Sequence, residues 1–163
     1  MLNIRLAKNS DRDAIWKIFQ EVAAAGDTYP FDANISREDA FAYWFQSGAH
    51  TYVAEQDRHL LGSYMLRPNW SGPGSHVANA AFMVAQDARG QGVGRAMGEH
   101  CLSEARRLGF RAMQFNFVVS TNESAVKLWQ KLGMKIVGTL PGAFRHPEKG
   151  DVDVYVMFQS LIE

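Results

Sequence analysis

The sequence predicts an α+β fold: a twisted, mostly antiparallel mixed sheet of about seven strands with four helices, in the order β-α-α-β-β-β-α-β-α-β-β. Three observations predict it. Apolar residues recur at helical spacing in separate segments, the first marked by Ile15, Ile18, Phe19 and Val22. Short alternating runs such as Arg111–Val119 lie between or beside those segments. An apolar run ending at Val84 passes through a glycine-rich turn directly into a third helical pattern, so a β-α-β half follows a hairpin-rich half.

Leu2–Ala7 alternates and reads as the first strand. Ser10, with Asp13 three residues on, reads as the cap of the first helix, and Gly26 as its stop. The aromatic stretch Asp27-Thr28-Tyr29-Pro30-Phe31-Asp32 is a loop. Ser36 with Asp39 opens the second helix, whose apolar face is Ala40, Phe41, Trp44 and Phe45. Thr51–Glu55 and Leu60–Arg67 form a hairpin around Asp57-Arg58-His59. Pro68–Ser75 is a loop and Val77–Val84 the next strand. The third helix runs from Gly92 to about Leu108, with Val93, Met97, Cys101, Ala105 and Leu108 on one face and Gly109 as its stop. In Arg111–Val119, strict alternation puts Met113, Phe115, Phe117 and Val119 on one side. Thr121 or Asn122 caps a short helix that buries Ala125, Leu128, Trp129 and Leu132, and Gly133 ends it. Lys135–Leu140 is a strand, Pro141–Gly150 a loop, and Val152–Phe158 the last strand.

Composition narrows the function classes. The 163 residues suit one domain, 1–163, without repeat or linker. A hydrophobic content of 47% argues against disorder. Seventeen basic residues balance seventeen acidic ones, so no global basic field recruits nucleic acid or a membrane surface. Cys101 is the single cysteine, which excludes an internal disulfide and fits a reducing compartment. The opening Met1-Leu2-Asn3-Ile4-Arg5 leads into no apolar signal core, and no run approaches the roughly 18 apolar residues of a membrane span. The expectation is a soluble cytoplasmic protein. No metal site is expected.

The stretch Phe82–Arg95 holds the strongest chemical signal. Gly90, Gly92 and Gly94 alternate between Arg89 and Arg95, and a helix starts at once. The first N–H groups of a helix lack internal acceptors, and the dipole adds positive charge there. Glycines allow the backbone to approach a phosphate closely. The alternative reading of the same residues is a glycine turn with no ligand. The spacing is neither G-x-G-x-x-G nor a Walker A loop, since Arg95 stands where a third glycine would and no Gly-Lys-Ser/Thr follows.

Arg89-Gly90-Gln91-Gly92-Val93-Gly94-Arg95 resembles the [Q/R]-x-x-G-x-[G/A] loop of the GCN5-related N-acetyltransferase (GNAT) family. The resemblance implies the GNAT fold and a loop whose amides bind the pyrophosphate of acetyl-CoA, with Arg89, Gly90, Gln91, Gly92, Val93, Gly94 and Arg95 as cofactor-binding residues. A second block, Asn122-Glu123-Ser124-Ala125-Val126-Lys127-Leu128-Trp129-Gln130-Lys131-Leu132-Gly133-Met134, resembles the family's N-x-x-A-x-x-L-Y-x-x-L-G-F. It implies that Asn122 binds the pantetheine. As a helix cap, Asn122 also has a reason to be there without a cofactor. In such proteins main-chain N–H groups where the central strand splays polarise the thioester, which maps to Met83 and Val84.

The family's tyrosine after the leucine is replaced here by Trp129, which can wall the thioester pocket but does not titrate near neutrality. The general acid is left to Tyr155 or an ordered water, or departure needs none. The base is equally open, with His76 one candidate.

Asn79 and Asn116 each interrupt an apolar strand, and a buried amide needs a partner. They read either as substrate-binding groups or as structural amides, at a bulge or in a mutual side-chain bond. His76-Val77-Ala78-Asn79-Ala80 with Phe115–Asn122 is similar to fungal acetyltransferases that act on proline analogues such as azetidine-2-carboxylate. That similarity implies that Asn79 and Asn116 hold a small amino acid. Asn79, Asn116 and the Val84 main chain are thus the candidate catalytic groups. Tyr29 and Phe31, and Phe144 of the Pro141–Gly150 loop, are candidate walls of the acceptor site. Arg145 either pairs with an anionic substrate or is a surface arginine.

The function implied is acetyl transfer from acetyl-CoA to a small-molecule amine by direct attack on the thioester, with an amino acid or toxic analogue as acceptor. The alternatives are a protein or peptide N-terminal acetyltransferase and a non-catalytic CoA-binding module. Pairing of the last strands across a two-fold would give a homodimer.

Overall fold

The computed structural model describes residues 1–163. In chain order the elements are β1 (Asn3–Leu6), α1 (Arg12–Ala25), α2 (Arg37–Trp44), β2 (His50–Gln56), β3 (His59–Pro68), β4 (Val77–Val84), α3 (Val93–Arg107), β5 (Ala112–Val119), α4 (Glu123–Lys131), β6 (Lys135–His146) and β7 (Gly150–Ser160). Seven strands form one sheet in the order β1-β2-β3-β4-β5-β7-β6. All neighbours are antiparallel except β4 and β5. This is the element order and the mixed sheet the sequence predicts.

The helices cover opposite faces. The Trp44 indole of α2 donates to the Ser63 hydroxyl at 2.9 Å, while the Tyr64 hydroxyl meets His100 of α3 at 2.7 Å. Ser63 and Tyr64 are adjacent on β3, so their side chains leave the sheet on opposite sides. α4 joins α3 on its face. Trp129 lies over the Phe82 ring, and a Cβ on Gly98 of α3 would stand 2.9 Å from that indole. The main core includes Ile15, Phe19, Trp44, Tyr64, Met65, Leu66, Met97 and Met113, all buried.

The feature that makes a site is a parting of strands. β4 and β5 pair only at Val77↔Ala112 and Ala78↔Met113. Beyond Ala78 the two strands diverge, although β4 continues to Val84 and β5 to Val119. On its other side β4 stays paired with β3 along its length, from Ala78↔Pro68 to Val84↔Gly62.

Several local expectations need correction. Ser10 does not cap α1. A short 3-10 turn at Asn9–Asp11 precedes it, and the Asp11 carboxylate accepts from the Lys8 N–H and from Arg5 instead. Ser36 does cap α2, accepting from the Asp39 N–H at 3.0 Å. The strict alternation of β5 breaks at a register shift between Phe115 and Val118, so Val118 and Val119 are both buried. That is the local disturbance a bulge imposes.

The Pro141–Gly150 loop is largely strand. β6 continues to His146 across an irregularity between Leu140 and Phe144, and β7 returns at Gly150. Pro141 is compatible with this because β6 is the sheet edge, where a missing N–H leaves no ladder bond unmade. Phe144 therefore packs on Val119, Val154 and Phe117, and does not line the cleft described next.

Candidate active site

A cleft of about 850 Å³ passes through the opening between β4 and β5. It runs from the α1–α2 loop on one face of the sheet to the glycine turn and α4 on the other.

At the glycine end, Gly90 and Gly92 both have positive φ, 76° and 81°, which side-chain-bearing residues rarely adopt. The first bond inside α3 runs from the Ala96 N–H to the Gly92 carbonyl. The N–H groups before Ala96 are therefore the unpartnered donors of a helix start. Gly90, Gly92, Val93, Gly94, Arg89 and Arg95 all line the cleft. Arg95 is held by Glu99 at 2.9 Å, and both are exposed. Gln91 does not line the cleft. Its side chain turns back to the Asp87 carbonyl at 2.9 Å and braces the loop.

Asn122 stands at the start of α4 but its side chain caps no helix N–H. The amide faces the cleft and accepts only a weak contact from the Ser124 hydroxyl at 3.4 Å. Ala125, Leu128 and Trp129 complete this wall. Trp129 packs on Phe82 and Phe115, with ring centroids at 4.7 and 5.0 Å.

The strand opening selects among the main-chain donors. Val77 O accepts from the Asn69 N–H and the Ala85 N–H donates to Leu61 O, so odd-numbered residues of β4 bond to β3. The amides of Ala80, Phe82 and Val84 then face the opening. Met83 lines the cleft, but its main chain is turned to β3. Of the two donors expected, Val84 alone points at the gap. Phe82 is already satisfied: its N–H donates to the Tyr29 hydroxyl at 2.8 Å, and that hydroxyl donates to the Phe82 carbonyl at 2.9 Å.

The two asparagines make internal bonds. The Asn79 side chain crosses the opening and donates to the Gln114 carbonyl at 2.9 Å. Asn116 donates to the Asn69 side chain at 2.7 Å and accepts from the Gln114 side chain at 2.9 Å. Both line the cleft where the strands part.

The far end is aromatic. Tyr29 stacks on Phe31 at 5.3 Å, and Phe31 meets Tyr43 edge-on at 5.5 Å. Burial pushes the phenols of Tyr29 and Tyr43 above their ordinary pKa. His76 is exposed at the start of β4 and Tyr155 sits on β7, and neither lines the cleft. Arg145 pairs with Asp151 at 3.4 Å on the surface.

The sequence reading missed Asp27, Tyr43 and Arg67, which line the same end. Asp27 Oδ1 and Arg67 Nε are buried and have no hydrogen-bond partner. A signal for Arg67 was present: the alternation of β3 puts it on the face of Ser63 and Met65, both fully buried.

The chain and its fold have counterparts among known proteins. N-acetyltransferase aca1 of Schizosaccharomyces pombe is 30% identical over 148 residues, covering 80% of this chain and 71% of that protein. The structure of a GCN5-related N-acetyltransferase from Kribbella flavida superposes with a TM-score of 0.94 at 48% identity, covering 98% of this chain and 97% of that one. The structure of yncA from Salmonella typhimurium with its cofactor acetyl-CoA has the same fold, with a TM-score of 0.88 at 22% identity over 100% and 95% of the chains. The profile of the acetyltransferase (GNAT) family matches residues 13–134, from α1 through the strand opening to the end of α4, and the chain belongs to that family.

Proposed function

We propose that the protein transfers an acetyl group from acetyl-CoA to the amine of a small molecule by direct attack on the thioester. The observation that carries this reading is the course of the cleft. It joins a helix start suited to an anion on one face of the sheet to an aromatic chamber on the other, with the strand opening between. The diphosphate lies against the amides of Gly90–Arg95, with Arg89 and Arg95 beside them. Asn122 bonds the pantetheine, and Trp129 walls the thioester.

The thioester brings an activated acyl carbon. The Val84 amide, at the mouth of the opening, is placed to donate to the oxygen that becomes negative in the transition state. One such donor typically contributes about 3 kcal/mol of barrier lowering. The amine nitrogen forms its bond to the acyl carbon as the C–S bond breaks, and sulfur leaves with the electron pair. The proton shed by the nitrogen passes to the Asp27 carboxylate or to solvent, and the departing thiolate takes one up to leave as free thiol. The Tyr29 hydroxyl is engaged with the Phe82 main chain, and burial raises the pKa of the Tyr43 phenol. Cys101 is buried on α3, its thiol pushed up in pKa by desolvation, so it is no acyl carrier.

The Tyr29, Phe31 and Tyr43 walls favour a compact acceptor over a peptide chain. A reducing cytoplasm suits the lone buried thiol. Val137 and Leu140, exposed on edge strand β6, suit the expected two-fold pairing. A thiol-release assay with acetyl-CoA against amino acids, polyamines and peptides tests the reading. Turnover confined to peptides favours the N-terminal acetyltransferase alternative, and coenzyme binding without amine-stimulated release favours the non-catalytic module.

A further inference from the structure

The acceptor end holds two charged side chains that nothing in the chain neutralises. Arg67, the last residue but one of β3, stands directly opposite Asn79 of β4. It enters none of the chain's six ion pairs, and its buried Nε has no acceptor. No hydrogen bond joins it to Asn79, whose side-chain nitrogen donates to the Gln114 carbonyl. Tyr43 is its neighbour: burial raises the phenol's pKa and the guanidinium charge pulls it back. Asp27 lines the same chamber, also outside every ion pair, with Oδ1 buried and unpartnered.

Both residues are half-buried, each with one polar atom shielded from water and unpartnered, and leaving such an atom unpaired costs stability. The two are not paired with each other, so the chamber between them is complementary to a molecule bearing both charges. The aromatic walls Tyr29 and Phe31 cover its apolar part.

We propose that Arg67 binds the carboxylate of the acceptor, with Asp27 facing its ammonium, so that the substrate class is the free α-amino acid, cyclic analogues included. This rests on the acetyltransferase reading of the same cleft. It moves recognition of the carboxylate from the asparagines, whose amide nitrogens donate within the chain, to an arginine that leans on the Tyr43 hydroxyl but whose Nε has no acceptor. A guanidinium offers a planar fork of donors matched to a carboxylate.

The test uses the whole chain with acetyl-CoA present. The twenty common L-amino acids and azetidine-2-carboxylate are each paired with their carboxamides, which keep the amine and lose the negative charge. Binding is measured by calorimetry and turnover by thiol release, in the native chain, Arg67→Gln and Arg67→Lys. The expected result is binding of one or more acids with their carboxamides weaker by roughly 100-fold, the scale for leaving a buried charge unpaired. Arg67→Gln should remove that preference by raising KM, Arg67→Lys should restore part of it, and acetyl-CoA affinity and Tm should not move.

Equal use of acids and carboxamides by the native chain overturns the proposal while leaving acetyl transfer intact. So does an equal loss for both in Arg67→Gln, or no binding by any acid. Acid-selective binding that depends on Arg67 but never leads to thiol release upholds the proposal and overturns the acetyltransferase reading.

Discussion

The Tyr29 hydroxyl and the Phe82 main chain satisfy each other twice, accepting from the N–H at 2.8 Å and donating to the carbonyl at 2.9 Å. Phe82 faces the gap left by β5, where its amide and carbonyl would otherwise find no strand partner. One side chain from the α1–α2 loop thus repairs the sheet where the sheet opens, and it ties the aromatic end of the cleft to the central strand. Tyr29→Phe should leave both main-chain groups buried and unpaired. A stability loss of about 1–3 kcal/mol is expected in chemical denaturation, together with a higher KM for the amine. Unchanged stability would mean that water replaces the hydroxyl without cost.

Asn79 plays the matching part from the other side, donating across the opening to the Gln114 carbonyl. Asn79→Ala removes the donor and leaves that carbonyl without this bond, at a cost of about 1–3 kcal/mol. Asn116→Ala breaks a side-chain pair with Asn69, and it should lower amine turnover while coenzyme affinity stays within about threefold of native. Calorimetry with CoA separates the two roles. Loss of coenzyme affinity in Asn116→Ala would reassign that residue to the cofactor.

The Trp129 indole has aromatic neighbours and makes no side-chain hydrogen bond. A wall that does not titrate should leave the pH profile alone. Trp129→Phe is expected to change KM for acetyl-CoA and keep the pH dependence of kcat. A moved pH limb would show that the position takes part in proton transfer.

The contact between Gly98 and Trp129 sets how closely α3 and α4 approach. A Cβ there would stand 2.9 Å from the indole and 2.7 Å from Leu132. Alanine in mid-helix gains up to about 1 kcal/mol in helix propensity over glycine, whereas overpacking a core costs about 1–3 kcal/mol. Leu132 can move aside but the indole is wedged against Phe82 and Phe115. Gly98→Ala should therefore lower Tm, as read by circular dichroism.

Acid sensitivity should start far from the cleft. Hydrogen bonding to Arg5 holds the buried Asp11 carboxyl below its ordinary value. The unfolded chain then binds this proton more readily than the folded one. The stabilisation is complete above the unfolded carboxyl value near 4 and is lost as pH falls through the lower folded value. Asp11→Asn should cost roughly 2–3 kcal/mol at neutral pH and flatten the stability profile below pH 4. An unchanged acid limb would place the sensitive carboxylates elsewhere.

Most of the fold was legible because its determinants are local. Val77–Val84 reads as a strand by its apolar run, Gly26 and Gly133 stop helices by adopting positive φ, and Ser36 caps α2 through an N–H three residues away. The glycine turn before α3 was legible for the same reason. The Pro141–Gly150 segment was misread because an edge strand tolerates proline and glycine that an interior strand would not. The bulge in β5 was legible only as one of the readings of Asn116, because it is fixed by pairing with β7 and not by the β5 sequence.

The sequence by itself determined the element order, the glycine turn before α3 and the family, since each rests on residues a few positions apart. Only the tertiary structure decided which β4 amides face the gap, that Tyr29 occupies one of them, and that Asp27 and Arg67 meet the same chamber unpaired. Those facts depend on the distance at which β4 and β5 part and on three segments far apart in the chain converging there. No local pattern encodes such a convergence, because it is fixed by how the helices pack on the two faces of the sheet.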